Sequence, residues 1–257
     1  MFQIERQEKI LQYIDKKKKA NVNELSALFD VSKVTIRRDL DDLAEKGLVI
    51  KTHGGVMSIT NKFSYEIPSS SKLESNTEAK QKIGLLAAGM IEEGDIVIFD
   101  AGSTTLEVAR NIRNQQVTVL TNDIKISMEM AHKRDVTLMV SGGVLNESVY
   151  TLVGDQTVDF FKKVHVNKTF LGCDAIDLQF GVSNRTMQEV ETKRAMIGAA
   201  EEVIMVTDST KLNKKVFCHL CEISDIDKLV INEIDEEYKR ELEKKGVEVI
   251  VVEQDDN

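Results

Sequence analysis

The chain has 257 residues, 42% hydrophobic and 30% charged, which is too apolar for a disordered chain and enough for one large core or two smaller ones. No apolar run approaches the roughly 18 residues of a membrane-spanning helix. The first nine residues are charged rather than signal-like, and three cysteines build no disulfide scaffold, so a cytoplasmic protein is expected. The net charge of −9 is uneven. Residues 1–57 hold 11 Lys+Arg and 9 Asp+Glu, a balance of +2, and the remaining 23 and 34 give −11. Any contact with nucleic acid therefore belongs to the N-terminal piece.

Ile4, Ile10, Leu11 and Ile14 share one face of a helix predicted over Ile4–Lys18. Its lysine-rich end, Lys16 to Lys19, suits both the unpaired carbonyls of a helix C-terminus and a phosphate contact. Asn23 is the predicted N-cap of a short second helix, with Val22 as its staple and Leu25, Leu28 and Phe29 as its apolar face. Asp30-Val31-Ser32 breaks the pattern. Ser32 then caps a third helix from Lys33 to about Lys46, stopped by Gly47. Within it Ile36, Leu40 and Leu43 face inward, which turns Val34, Thr35, Arg38 and Asp41 outward, with Lys33 and Arg37 on the flanks. Outward hydroxyl, methyl and guanidinium groups on such a helix suit reading of a major groove. Leu48 to Thr52, His53-Gly54-Gly55 and Val56-Met57 then read as a β-wing with a glycine turn. The candidate DNA contacts are Ser32, Lys33, Val34, Thr35, Arg37, Arg38, His53 and Gly54.

The segments Phe29-Asp30-Val31-Ser32, Thr35-Ile36-Arg37-Arg38-Asp39-Leu40 and His53-Gly54-Gly55 strongly resemble the DNA-binding head of DeoR-family transcriptional regulators. The alternative is a helix-turn-helix used only for protein contacts.

Residues 58–76 lose periodicity, are rich in serine and carry the only proline, Pro68. They are predicted to be a linker between a winged helix-turn-helix domain, 1–57, and a larger domain, 77–257. Helical spacing resumes over Glu78–Ile91. Apolar runs at 96–99, 117–120, 136–140, 169–171, 203–206, 229–231 and 247–252 then alternate with helical patterns, including one over Glu189–Glu201. Continuous apolar strands alternating with helices predict an α/β domain on a mostly parallel sheet, whose ligands sit beyond the carboxyl ends of the strands.

Those ends are polar. Asp100-Ala101-Gly102-Ser103-Thr104-Thr105 opens a helix, and its hydroxyls and first amides suit phosphate oxygens. Thr121-Asn122, Ser141-Gly142-Gly143, Gly172-Cys173-Asp174 and Asp208-Ser209-Thr210-Lys211 follow later strands, and all five ends are expected to converge on one pocket. Lys193 and Lys211 are candidates to balance an anion in this acidic domain; a solvated helix lysine is the other reading of Lys193. Asp100, Asn122 and Asp174 suit sugar hydroxyls. The candidate effector residues are thus Asp100, Gly102, Ser103, Thr104, Thr105, Asn122, Gly142, Gly143, Asp174, Lys193 and Lys211. Cys218-His219-Leu220-Cys221 has metal-like spacing, but Cys173 and His165 are scattered as further ligands, so buried free thiols are expected. Glu189 and Glu191 read as a solvated helix face.

The same strand-end motifs, with Phe170 to Asp177 and Glu191 to Met196, resemble the DeoR-family sensor domain. The resemblance implies a fold similar to ribose-phosphate isomerases and a phosphorylated sugar as effector. The expectation is a repressor of a carbohydrate-utilisation operon, acting as a homodimer or homotetramer on double-stranded operator DNA. No catalytic residue, metal, cofactor or membrane partner is expected. The competing expectations are a sugar-phosphate isomerase-like enzyme with an appended DNA-binding domain, and a scaffold that only dimerises.

Overall fold

The structure, a computed structural model, describes residues 3–45, 49–52, 54–58, 76–113, 116–146 and 149–253. The chain divides into two compact units, Met1–Ile67 and Pro68–Asn257.

The first unit runs α1 (Gln3–Lys17), β1 (Lys19–Asn21), α2 (Val22–Phe29), α3 (Lys33–Glu45), β2 (Val49–Thr52) and β3 (Gly55–Ser58). Ile10, Ile14, Leu25, Ile36, Leu40 and Leu43 form its core with Val49 and Val56. Ser32 caps α3 as expected, its hydroxyl accepting from the Thr35 amide at 3.1 Å. The cap of α2 differs from the expectation. Asn21, not Asn23, accepts from the Glu24 amide at 2.8 Å, and Glu24 accepts from the Asn21 amide at 3.3 Å. This reciprocal box starts the helix two residues early. The wing also gains a strand, because α1 stops at Lys17 and Lys19 enters a sheet of order β1-β3-β2. Both described glycines of the wing turn are needed there. Gly54 has φ +81°, and a Cβ on Gly55 would stand 2.2 Å from the Ala20 carbonyl oxygen of β1.

One buried ion pair ties α1 to α3. Arg6 donates through Nε and Nη2 to Asp39, at 2.5 and 3.1 Å, and Asp39 is 1% exposed. Removing one partner of a buried pair strands the other charge. Asp39→Ala is expected to lower the stability of this unit by about 3 kcal/mol, and Arg38→Ala, one residue away and exposed, by less than about 0.5 kcal/mol. Amide hydrogen exchange of residues 3–58 in the full chain measures both; equal losses would contradict the assignment.

The second unit begins with α4 (Thr77–Ala88). It continues β4 (Ile96–Phe99), α5 (Ser103–Arg110), β5 (Val117–Thr121), α6 (Ile124–Ala131), β6 (Val136–Val140), β7 (Val144–Asn146), β8 (Thr151–Val153), α7 (Asp155–Lys162) and β9 (Val166–Leu171). Then follow β10 (Ala175–Asp177), β11 (Gly181–Asn184), α8 (Met187–Ala199), β12 (Ala200–Val206), β13 (Cys218–Cys221), β14 (Lys228–Ile231), α9 (Glu236–Lys244) and β15 (Glu248–Val251). The expected sheet is present: seven strands, all parallel, in the order β15-β14-β12-β9-β4-β5-β6. Alternate strand residues feed two cores. Val97, Phe99, Val119 and Phe170 pack with Ile83, Leu106 and Ile126 of α4–α6. Ile98, Leu171 and Met205 pack with Phe161, Met196 and Leu242 of α7–α9.

The strand order explains the two layers. The chain leaves β4 for β5 and β6 in one direction, returns beside β4 as β9, and leaves again through β12, β14 and β15 in the other. Right-handed crossovers running in opposite directions place their helices on opposite faces. The gap between the ends of β4 and β9 is the switch point of the sheet, where such folds bind ligands. The helix expected over Glu189–Glu201 is shifted to Met187–Ala199, with Ala200 leading straight into β12. Four features were not expected: α7, α9, the β7-β8 hairpin, and a small antiparallel sheet, β10-β11-β13.

Candidate functional site

On the first unit, Ser32, Lys33, Val34, Arg37 and Arg38 are exposed at the start of α3, and Thr35 is half-buried. Among the described residues no ion pair engages Lys33, Arg37 or Arg38, so their charges face outward. The Ser32 and Thr35 hydroxyls lie 2.9 Å apart and partly satisfy each other. Gly54 is exposed in the wing turn, its carbonyl accepting from the Val22 amide at 2.9 Å. His53 lies outside the described residues.

On the second unit a pocket opens at the switch point, with about 510 Å³ of empty space including its mouth. Three strand ends line it. The β4 end contributes residues 101–105, the β9 end Gly172, Cys173 and Asp174, and the β12 end Val206, Thr207, Asp208 and Lys211; Lys80, Asn184, Glu189 and Lys193 complete the wall. Gly102 is the N-cap of α5 and has no side chain to satisfy the first amides of the helix. Those amides have no side-chain cap, and Ser103 and Thr104 line the opening, so this loop is a candidate set of anion donors. Thr105 differs: its hydroxyl donates to the Gly102 carbonyl at 3.0 Å and holds the loop in shape.

Beneath the opening, Asp100 and Lys193 form a buried ion pair, each under 5% exposed. Asp100 also accepts from the Gly172 amide at 2.9 Å, and Lys193 donates to the Gly172 carbonyl at 2.9 Å. Burial disfavours the Lys193 ammonium, but Asp100, Glu189 and Asp174 outweigh it and hold its pKa above the ordinary lysine value. Lys193 is thus not a solvated helix lysine; its charge is already answered by Asp100. Lys211 is different. It is half-buried and, among the described residues, no ion pair engages it.

Two of the five expected strand ends stand off this pocket. Asn122 and the Asp123 backbone meet the β7-β8 hairpin: the Asn122 carbonyl accepts from the Leu152 amide at 2.8 Å, and its side-chain amide donates to the Leu152 carbonyl at 3.0 Å. The Gly142 carbonyl accepts from the Thr157 hydroxyl at 2.8 Å, and a Cβ on Gly143 would lie 2.4 Å from that hydroxyl. The hairpin closes over the β5 and β6 ends, which the sequence reading did not anticipate.

Glu189 is a correction of another kind. It is half-buried and lines the pocket, whereas Glu191 is exposed as expected. Lys80 and Asn184 are further pocket residues that sequence reasoning missed, while Asp208 belongs to a strand end expected there. Lys80 sits on a helix with no motif of its own, and Asn184 ends a strand that was not foreseen. Burial pushes the Cys173 thiol up to about 11 and the Cys221 thiol up to about 12, so both are neutral thiols. Among the described residues no group of three or more His, Cys, Asp or Glu side chains is placed to hold a metal.

The family described as the DeoR-like helix-turn-helix domain matches residues 6–62, and the DeoR C terminal sensor domain matches residues 75–233. The chain belongs to the DeoR family. It is a DNA-binding transcriptional regulator with a C-terminal sensor domain. The putative aga operon transcriptional repressor of Escherichia coli O157:H7 is 36% identical over 253 residues, covering 96% of this chain and 93% of that one. The HTH-type transcriptional repressor GlcR of Bacillus subtilis (strain 168) is 32% identical over 258 residues, covering 100% and 99%. A solved ribose 5-phosphate isomerase A from Methanocaldococcus jannaschii is similar at 17% identity and a TM-score of 0.40, over 55% of this chain and 56% of that one.

Past the end of β5, burial pushes the Asp123 carboxyl up to about 6, although the Lys125 and Ile126 amides donate to it at 2.7 and 3.0 Å. A carboxyl whose pKa rises on folding keeps its proton longer in the native state. Its contribution to stability is therefore present below the unfolded value near 4 and is lost as pH rises toward 6. Asp123→Asn keeps the capping acceptor and removes the titration. Thermal unfolding between pH 4 and 6 should show the variant gaining about 2 kcal/mol on the wild type as pH rises; parallel profiles would contradict this.

Proposed function

We propose that this regulator represses carbohydrate-utilisation genes and that a phosphorylated sugar, held at the switch point of the sensor domain, sets its hold on operator DNA. The observation that carries this reading is a pocket lined by both the uncapped start of α5 and Lys211, which offers donors for a phosphate together with an ammonium that, among the described residues, no ion pair engages. The names of the aga operon repressor and of GlcR support repression as the mode of action. One short recognition helix reads too few base pairs for useful specificity, so two copies act together on the operator.

The site acts by binding rather than turnover. Asp100 is engaged by Lys193 and the Gly172 amide, and the Cys173 thiol is neutral, so neither supplies a ready base or nucleophile. Proton NMR of ribose 5-phosphate incubated with the chain should show no interconversion; turnover would favour the isomerase reading.

An effector matters only if it prefers one arrangement of the chain over another. Helix α4 is placed to report occupancy, because it is the first described element after residues 59–75. The Asn76 side chain at its start donates to Asp208 Oδ1 at 3.0 Å, and Asp208 and Lys80 both line the pocket. Gly84 on α4 packs against α5 so closely that a Cβ would stand 2.6 Å from Glu107 backbone.

Fluorescence anisotropy with a duplex selected in vitro by the full chain separates these roles. Arg38→Ala should weaken specific binding by about 1–3 kcal/mol. Lys211→Ala should bind DNA normally and lose its response to sugar phosphates. Asn76→Ala should keep sugar-phosphate binding and lose most of the change in DNA affinity. Unaltered responses in the last two variants would contradict the pocket and its link to α4.

A further inference from the structure

The pocket lining mixes anion donors, the α5 start and Lys211, with acceptors, among them Asn184, Asp174 and Glu189. Asn184 is 2% exposed, and its Oδ1 is buried without a hydrogen-bond partner. Its orientation follows from chemistry. The Asp174 carboxylate only accepts, so the Asn184 amide nitrogen must face it, and Nδ2 does so at 3.5 Å. Asp174 is further fixed by the Arg185 amide at 3.3 Å. The carbonyl oxygen of Asn184 is left without a donor.

A buried acceptor left unsatisfied carries a desolvation cost that a ligand donor relieves. The Thr169 hydroxyl and Asn122 Oδ1 are also buried and unpaired, but neither residue lines the pocket. Asn184 alone among these residues both lacks a partner and borders ligand space. Asp174 and Glu189 also line the pocket and are acceptors, so the lining around Asn184 favours O–H or N–H groups of a ligand.

We infer that Asn184 is a specificity-determining residue: its carbonyl oxygen accepts a hydrogen bond from a hydroxyl of the effector, selecting a hydroxylated phosphate monoester over a bare phosphate. This rests on the phosphate reading of the α5 start and adds the demand of the Asn184 carbonyl oxygen.

Isothermal titration of the full chain with methyl phosphate, glycerol 3-phosphate, ribose 5-phosphate and glucose 6-phosphate tests it. The wild type should bind at least one hydroxylated ester more tightly than methyl phosphate. Asn184→Ala should weaken that ester by about tenfold and change methyl phosphate by less than about twofold. Asn184→Ser, which keeps an acceptor, should fall between, and it carries the test if the alanine variant fails to fold. Methyl phosphate as the tightest ligand, equal losses for both ligand types, or no loss for either would overturn the role of Asn184. Absence of binding by every phosphate to the wild type would instead overturn the phosphate reading itself.

Discussion

The sensor domain is organised around the Asp100–Lys193 ion pair. It joins the end of β4 to helix α8, and through the Gly172 amide and carbonyl it fixes the end of β9 as well. These two strands meet where the sheet reverses direction, so the backbone ends nearest the ligand space are pinned by one charged contact. The pair also sets the electrostatics. With Lys193 answered by Asp100, the α5 amides and Lys211 are the candidate groups to meet an incoming anion.

The DNA-binding unit obeys a similar division between structural and available charge. The Arg6–Asp39 pair is buried and joins α1 to α3, while Arg37 and Arg38, its sequence neighbours on α3, are exposed. Asp39 lies on the buried side of α3 with Ile36, Leu40 and Leu43, and Arg37 and Arg38 fall on its exposed side. The residues that fold the unit and the residues left available to a partner therefore do not overlap.

Much of this was legible in the sequence because it depends on local periodicity. The inward set Ile36, Leu40 and Leu43 fixed the outward set, and the apolar runs of β4, β5 and β6 fixed a parallel sheet. The Gly102–Thr105 loop was legible as the start of a helix after a strand. What was hidden depends on contacts distant along the chain. Strand order decides which ends converge, and nothing in Asn122, Gly142 or Gly143 announced that a hairpin would close over them. Asn184 and Lys80 reach the pocket from a small antiparallel strand and from the helix after residues 59–75, neither of which carries a binding motif. Glu189 sits one helical turn before Lys193, yet only the packing of α8 on the sheet shows that both face inward.

The proposed effector site depends on an anion held by the first amides of α5. Amide chemical-shift mapping of the full chain during titration with ribose 5-phosphate addresses this directly. The expected result is saturable shifts centred on Ser103, Thr104 and Thr105, accompanied by the Lys211 side chain and reproduced at the same amides by methyl phosphate. Saturable binding that leaves those amides unmoved and perturbs another part of the sensor domain would contradict it.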